Sequence, residues 1–300
     1  MGSVPGEMLA VYASAIDPDD PLRGLELGER PDPEPRDDWT TVTVRAAALN
    51  HHDLWSLRGV GLSEDKLPMI LGCDAAGVDE DGAEVVVHAV VTSDSWHGDD
   101  TLDPRRSLLS ERYPGTLAQR VMVPKRNVLP KPPELSFEHA ACLPTAWLTA
   151  YRMLFTRGGV VPGMTVLVQG AAGGVATALT VLGSAAGARL PERVDAVMET
   201  VGKATWGHSI RSLKPGGTLV VSGATSGDAP PAELTRVFFL QLSVVGSTMG
   251  TRDELERLIR FCLERDIRPT VHRTMPLAEA RDGFRELLEG DVVGKIVFTT

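Results

Sequence analysis

The chain has 300 residues, 43% hydrophobic and 23% charged, which allows one large domain or two ordinary ones and excludes a disordered chain. Its net charge of −10 argues against nucleic-acid binding through a general positive field. No apolar run is long enough to span a bilayer, the first residues show no secretory pattern, and three cysteines cannot build a disulfide framework. A cytoplasmic protein without nucleic-acid or membrane partners is therefore expected.

Residues 1–35 are rich in proline and acid and read as an edge strand plus loop. Residues 41–46 alternate β-branched side chains and predict a strand. Residues 50–58 predict a short helix stopped by Gly59, and 85–91 and 117–123 predict two more strands. Residues 92–114 read as a long polar loop. Past residues 130–133 the pattern changes. Residues 136–157 predict a helix, with Ser136 as N-cap and Pro144 as a break. Strands at 165–169, 194–198, 217–221 and 243–247 then alternate with helices at 174–186, 204–213, 232–242 and 253–265. That alternation marks βαβ units and a parallel sheet. A last helix at 278–289 and a strand at 295–298 follow.

Gly170, Ala171, Ala172, Gly173, Gly174 and Val175 lie between the strand at 165–169 and the next helix. Glycine there lets backbone approach a pyrophosphate, and the helix start offers free N–H groups. Ala176 stands where the fingerprint tolerates alanine for its third glycine. A purely structural turn is the alternative.

Several segments, in this order, resemble a known family: Ala48-Leu49-Asn50-His51-His52-Asp53-Leu54, Leu71-Gly72-Cys73-Asp74-Ala75-Ala76-Gly77, Leu143-Pro144-Thr145-Ala146-Trp147-Leu148-Thr149-Ala150-Tyr151, the glycine loop, Val245-Gly246-Ser247 and Gly294-Lys295-Ile296-Val297. Together they resemble the medium-chain dehydrogenase/reductase superfamily, in its zinc-free quinone oxidoreductase-like branch. The resemblance implies an α/β protein of two parts. A GroES-like, β-rich catalytic domain of residues 1–125 and 270–300 would flank a Rossmann-type nicotinamide dinucleotide-binding domain of residues 126–269. It also implies further cofactor contacts. Thr149 would lie near the nicotinamide ribose, Gly202 and Gly223-Ala224-Thr225 at strand ends, Gly246, Ser247 and Met249 near the nicotinamide, and Lys295 at the phosphates.

The zinc enzymes of that superfamily hold metal through cysteine, histidine and acidic side chains. Laid on this chain, those positions fall at Asn50, Cys73 and about Thr145, and none keeps the ligand type usual at its position. No metal is expected, although Cys73, Asp74, His51 and His52 could in principle form a different site. Without metal, a hydride from NADPH (NADH being possible) needs an electron-poor acceptor: a quinone, an enone or an enoyl thioester. The protein must then stabilise an anion and deliver a proton. Asn50 is the candidate donor to the acceptor oxygen or the nicotinamide ribose, and His51 or His52 the candidate proton donor. Residues 58–62 lack the tyrosine of some enoyl reductases, which weighs against thioesters. The alternatives are a zinc-type alcohol dehydrogenase and a degenerate, non-catalytic nucleotide-binding member. Residues 243–248, apolar and β-prone, predict a homodimer through the sheet edge.

The chain departs from the family between Gly187 and Val194. The strand at 194–198 resembles the fourth of the usual sheet, so the second and third would be lacking, and with them the residues that read the ribose 2′ position. A simpler reading makes it the second strand, with Glu199 as partner of the 2′-hydroxyl. A direct path from the first helix to the fourth strand would be left-handed. Either the helix changes face, or the strand takes the second place, or residues are omitted at this join; the last is expected, because the flanking segments match the family undisturbed.

Overall fold

A computed structural model of the chain describes residues 6–170, 172–187 and 193–300. It opens with β1 (Glu7–Ala13) paired antiparallel to β2 (Leu25–Pro31). Sequence patterning misses β2, since acids and Pro31 crowd a strand that buries only Leu25. Next come β3 (Trp39–Ala48), helix α1 (His51–Leu57), and the strands β4 (Met69–Ile70), β5 (Asp74–Val78) and β6 (Glu84–Val87). The strand expected over 85–91 is split. β7 (Val90–Val91) leaves β6 to pair with β8 (Ser107–Leu108). The Asn127 amide donates to the carbonyls of His88 and Val90, where a ladder partner would otherwise stand. β9 (Arg120–Pro124) and β10 (Val128–Pro130) complete this part.

Residues 137–157 are helical apart from a turn at Cys142. α2 (Phe137–Ala141) passes into a wide turn at Leu143–Trp147, then α3 (Leu148–Tyr151), then a second wide turn at Arg152–Arg157. The regular α-helix is interrupted next to Pro144: α2 ends at Ala141, Cys142 is a turn, and the wide segment then continues the chain. Pro144 falls in the opening turn of the wider segment, where its missing N–H is not needed.

β11 (Val166–Val168), α4 (Gly174–Ala185), β12 (Val194–Glu199), α5 (Trp206–Ser212), β13 (Leu213–Val221), α6 (Leu234–Phe239) and β14 (Ser243–Gly246) then alternate as expected. α7 (Arg252–Glu264), β15 (Val271–Pro276), α8 (Ala280–Glu289) and β16 (Lys295–Thr299) follow. β15 and β16 return to the first part, giving a sheet of order β10-β6-β5-β3-β16-β15 with β9 beside β3. The second sheet is parallel, in the order β11-β12-β13-β14.

β12 thus sits between β11 and β13, as the fourth strand of the resemblance would; the reading that makes it the second strand is corrected. Its side chains alternate between two cores. Ala196 and Met198 meet Ala178, Leu179 and Leu182 of α4, together with α7. Val194 and Val197 meet Ile210 of α5 and Leu219 of β13. The crossovers through α4 and α5 step the same way across the sheet on opposite faces, so they have opposite hands, against the usual right-handed rule. The join itself, at 188–192, lies outside the described residues, and so does the expectation of omitted residues.

Candidate functional site

A cleft of about 430 Å³ separates the two sheets. One wall is the start of α4, where no side chain caps the helix at Gly173. The first N–H groups of a helix lack intrahelical partners and carry partial positive charge. A Cβ added at Gly173 would meet nothing within 4 Å, so this backbone faces open space. Gly174 is a glycine for another reason: its Cβ would stand 2.9 Å from Cδ of Lys295. The lysine stem crosses the helix start there, and Gly294 N–H donates to Ala172 O at 2.8 Å.

Lys295 is 3% exposed. Its ammonium donates to Leu49 O at 2.6 Å and Asn50 Oδ1 at 2.5 Å, and pairs with Asp74 Oδ2 at 3.3 Å. The Asn50 amide nitrogen in turn donates to Asp74 Oδ2 at 2.9 Å and Ala48 O at 3.2 Å. Asp74 is fully buried, and its Oδ1 has no partner. Below it, buried Asp53 accepts the N–H groups of Asn50 and Gly72, both at 2.9 Å. Burial pushes its carboxyl up to about 7 against those two bonds.

This arrangement changes two expectations. Lys295 lines the cleft, yet its ammonium is engaged by Leu49, Asn50 and Asp74 at the floor. Asn50 also lines the cleft, but every polar atom of its amide is engaged, so in this arrangement it has nothing to offer an acceptor oxygen. A metal does not fit either. An ammonium already stands among Asn50, Asp74 and Leu49, and the Cys73 thiol donates to Leu109 O at 3.3 Å. Among the described residues no three histidine, cysteine or acidic side chains converge.

His51 and His52 line the cleft at the opposite wall. His52 Nε2 lies 3.5 Å from Ser56 Oγ and 4.0 Å from Glu111 Oε1. Burial holds its imidazole at about 4, so it is neutral at pH 7, and burial pushes the Glu111 carboxyl up. Glu111 lines a second chamber of about 360 Å³ with Thr101, Arg106 and Ser107; the two spaces share Leu108, Thr248 and Met249. Thr145 Oγ1 is buried in the cleft with no partner. Sequence reasoning singled Thr145 out only as a lost ligand position, and missed Glu111.

Of the expected contacts, Thr149, Gly170, Gly173, Gly174, Val175, Gly223, Thr225 and Met249 line the cleft. Gly202, Ala224, Gly246 and Ser247 are not among its lining residues. Gly202 has φ +90°, and a Cβ would strike Gly227 O at 2.6 Å, so turn geometry explains it. Ala171 lies outside the described residues. Outside the cleft lining, buried Arg152 donates to Glu254 Oε2 and Asp99 Oδ2, each at 2.6 Å, tying the 92–114 loop to α7. An arginine between Tyr151 and Met153 in an apolar helix is the signal that could have found this tie.

Residues 36–133 match the family described as "Alcohol dehydrogenase GroES-like domain", and residues 176–298 that described as "Zinc-binding dehydrogenase". A solved "NAD-dependent alcohol dehydrogenase" is 32% identical, with a TM-score of 0.89, over 98% of this chain and 100% of that one. The chain belongs to the medium-chain dehydrogenase/reductase superfamily. Acryloyl-coenzyme A reductase of Metallosphaera sedula is 26% identical, over 93% of this chain and 97% of its own. Crotonyl-CoA reductase of Streptomyces collinus is 25% identical, over 91% and 82%. A 2-octenoyl-CoA carboxylase reductase, solved with NADP and 2-octenoyl-CoA, shares the fold at a TM-score of 0.91 and 23% identity. As a medium-chain dehydrogenase/reductase the chain is an oxidoreductase with a nucleotide-binding fold. The zinc in its second family's description has no matching donor set among the described residues.

Proposed function

We propose that the protein reduces an activated alkene, with a quinone as the second acceptor class, using NADPH or NADH and no metal. The observation that carries this is the cleft floor: the Lys295 ammonium fills the place a catalytic metal would need, beside a helix start open to phosphate. The enoyl-CoA reductases among its relatives support the alkene, and offset the missing tyrosine.

A bound reduced nicotinamide supplies the hydride. The chain's own residues do the rest. Thr145 Oγ1, buried and unpartnered, donates to the acceptor carbonyl and holds it against the floor. His52, neutral and lining the cleft, relays a proton to the resulting anion: one ring nitrogen releases it as the other takes one up from solvent by way of Glu111. The start of α4 binds the pyrophosphate. Apolar Trp55, Leu108 and Met249 exclude water from the acceptor side.

The test is oxidation of reduced nicotinamide against a panel of quinones, enones and enoyl thioesters, with elemental analysis of the same protein. Turnover of at least one alkene is expected, with His52→Asn lowering it about 10²- to 10³-fold. Activity confined to alcohols, or one zinc per chain retained through dialysis, would overturn the reading.

A further inference from the structure

We propose that the protein grips its nucleotide through the nicotinamide–ribose–pyrophosphate half and does not read the adenosine 2′ position. This rests on the nucleotide-dependent reading above.

In a dinucleotide fold, the side chain that reads the ribose 2′ position stands at the end of the second strand, roughly 20 residues past the glycine loop. Here the strand after α4 is β12, which lies inside the sheet between β11 and β13. β11 is outermost among the described residues. The acid at the end of β12, Glu199, is fully buried. Its Oε1 accepts the N–H groups of Val201 at 2.8 Å and Gly202 at 2.9 Å, and the Thr205 hydroxyl at 2.8 Å. Its Oε2 accepts the Ser209 hydroxyl at 2.5 Å. A carboxylate has about four acceptor positions, so none is left for a ribose.

The cleft wall beyond the glycine loop is made of Gly170, Thr200, Val201, Ser222, Gly223 and Thr225. Among the described residues it presents no cation to a 2′-phosphate and no carboxylate to a 2′-hydroxyl. Among the described residues the one ammonium lining the cleft is that of Lys295, committed to Asn50, Asp74 and Leu49 at the floor. The pyrophosphate, in contrast, meets the uncapped start of α4 and the open space at Gly173. Among the described residues the cleft therefore fits one half of the dinucleotide, and none of them is built to read the other. Reduced nicotinamide mononucleotide becomes a ligand in its own right, and NADH and NADPH become equivalent.

Binding, rather than turnover, tests this. Titrations followed by nicotinamide fluorescence would compare NADPH, NADH and reduced nicotinamide mononucleotide, with 5′-AMP and 2′,5′-ADP as competitors. NADPH and NADH are expected within about threefold in Kd, and the mononucleotide within about tenfold of both. Neither adenine nucleotide should displace them. A preference above about tenfold for NADPH or NADH, displacement by an adenine nucleotide, or failure of the mononucleotide alone would overturn this inference and leave the proposed function standing. If none of the three reduced nucleotides binds, both fall.

Discussion

Lys295→Met keeps the aliphatic stem over Gly174 and removes the ammonium. Three contacts go with it: Leu49 O, Asn50 Oδ1 and Asp74 Oδ2. Asp74 has no exposure and one oxygen already unpartnered, so its carboxylate would keep a single donor, the Asn50 amide. Removing one partner of a buried pair costs about 3–5 kcal/mol. At about 2–4 °C per kcal/mol for a unit of roughly 150–250 residues, the midpoint should fall by about 10 °C. Asp74→Asn strands the ammonium and should cost a similar amount. The double variant removes both charges, so the two losses should not add; a coupling of at least about 2 kcal/mol is expected. Thermal unfolding followed by tryptophan fluorescence reads this, since Trp39 and Trp55 sit in the same part of the molecule. Strictly additive losses would refute the reasoning. So would a hundredfold loss of nucleotide affinity without loss of stability, which would mean that the lysine serves the phosphates instead.

Three further outcomes follow from the same geometry. His52 has its folded pKa depressed to about 4 from 6.5, so its contribution to stability is complete above pH 6.5 and lost as pH falls towards 4. The term amounts to about 2 kcal/mol at pH 5. Asp53, raised to about 7 from 3.8, works the other way and adds stability as pH falls through 7. His52→Gln should therefore gain about 2 kcal/mol on the wild type between pH 8 and pH 5, and a constant gap in urea denaturation at the two values would contradict this. Gly173→Val should weaken nucleotide binding at least about 100-fold while stability changes by less than about 1 kcal/mol, because its side chain enters open space; unchanged affinity in a titration would make the loop a mere turn. Leu234, Phe238 and Phe239 of α6 are 70%, 68% and 77% exposed, and Val244 of the edge strand β14 is exposed as well, which supports a homodimer through this part of the molecule. Phe239→Glu should yield monomers in sedimentation, and a wild type already monomeric at micromolar concentration would end the proposal.

The strands and helices of the nucleotide half were legible because short valine-containing segments, β12 and β14, alternate with helical stretches such as α7 with its apolar spacing. The glycine loop was legible because strand, turn and helix stand in sequence. What the sequence hid was set by distant partners. β2 buries a single residue, so it has no pattern to read. Pro144 signals the interruption next to it, but not the wider turn that carries the chain on. Lys295 lies in a strand covered on both faces, where alternation gives no sign of which side chain points to the cleft. Its partners Asn50 and Asp74 lie 245 and 221 residues away along the chain, beyond the reach of any local rule. Glu111 sits in a loop whose path depends on Arg152, Asp99 and Glu254 meeting.

β16 is wedged between β3 and β15, with Val297 opposite Ala48. During synthesis, at about 5–20 residues per second, β3 must wait tens of seconds for that neighbour. The nucleotide half, contiguous in the chain, emerges complete in the meantime. The cleft floor is thus sewn shut late, by a strand that threads back to the earliest part of the protein. Pairings of such long sequence separation form slowly, and until Lys295 arrives Asp74 has only the Asn50 amide beside it. Yield of active protein should therefore respond more to the closing strand than to the glycine loop.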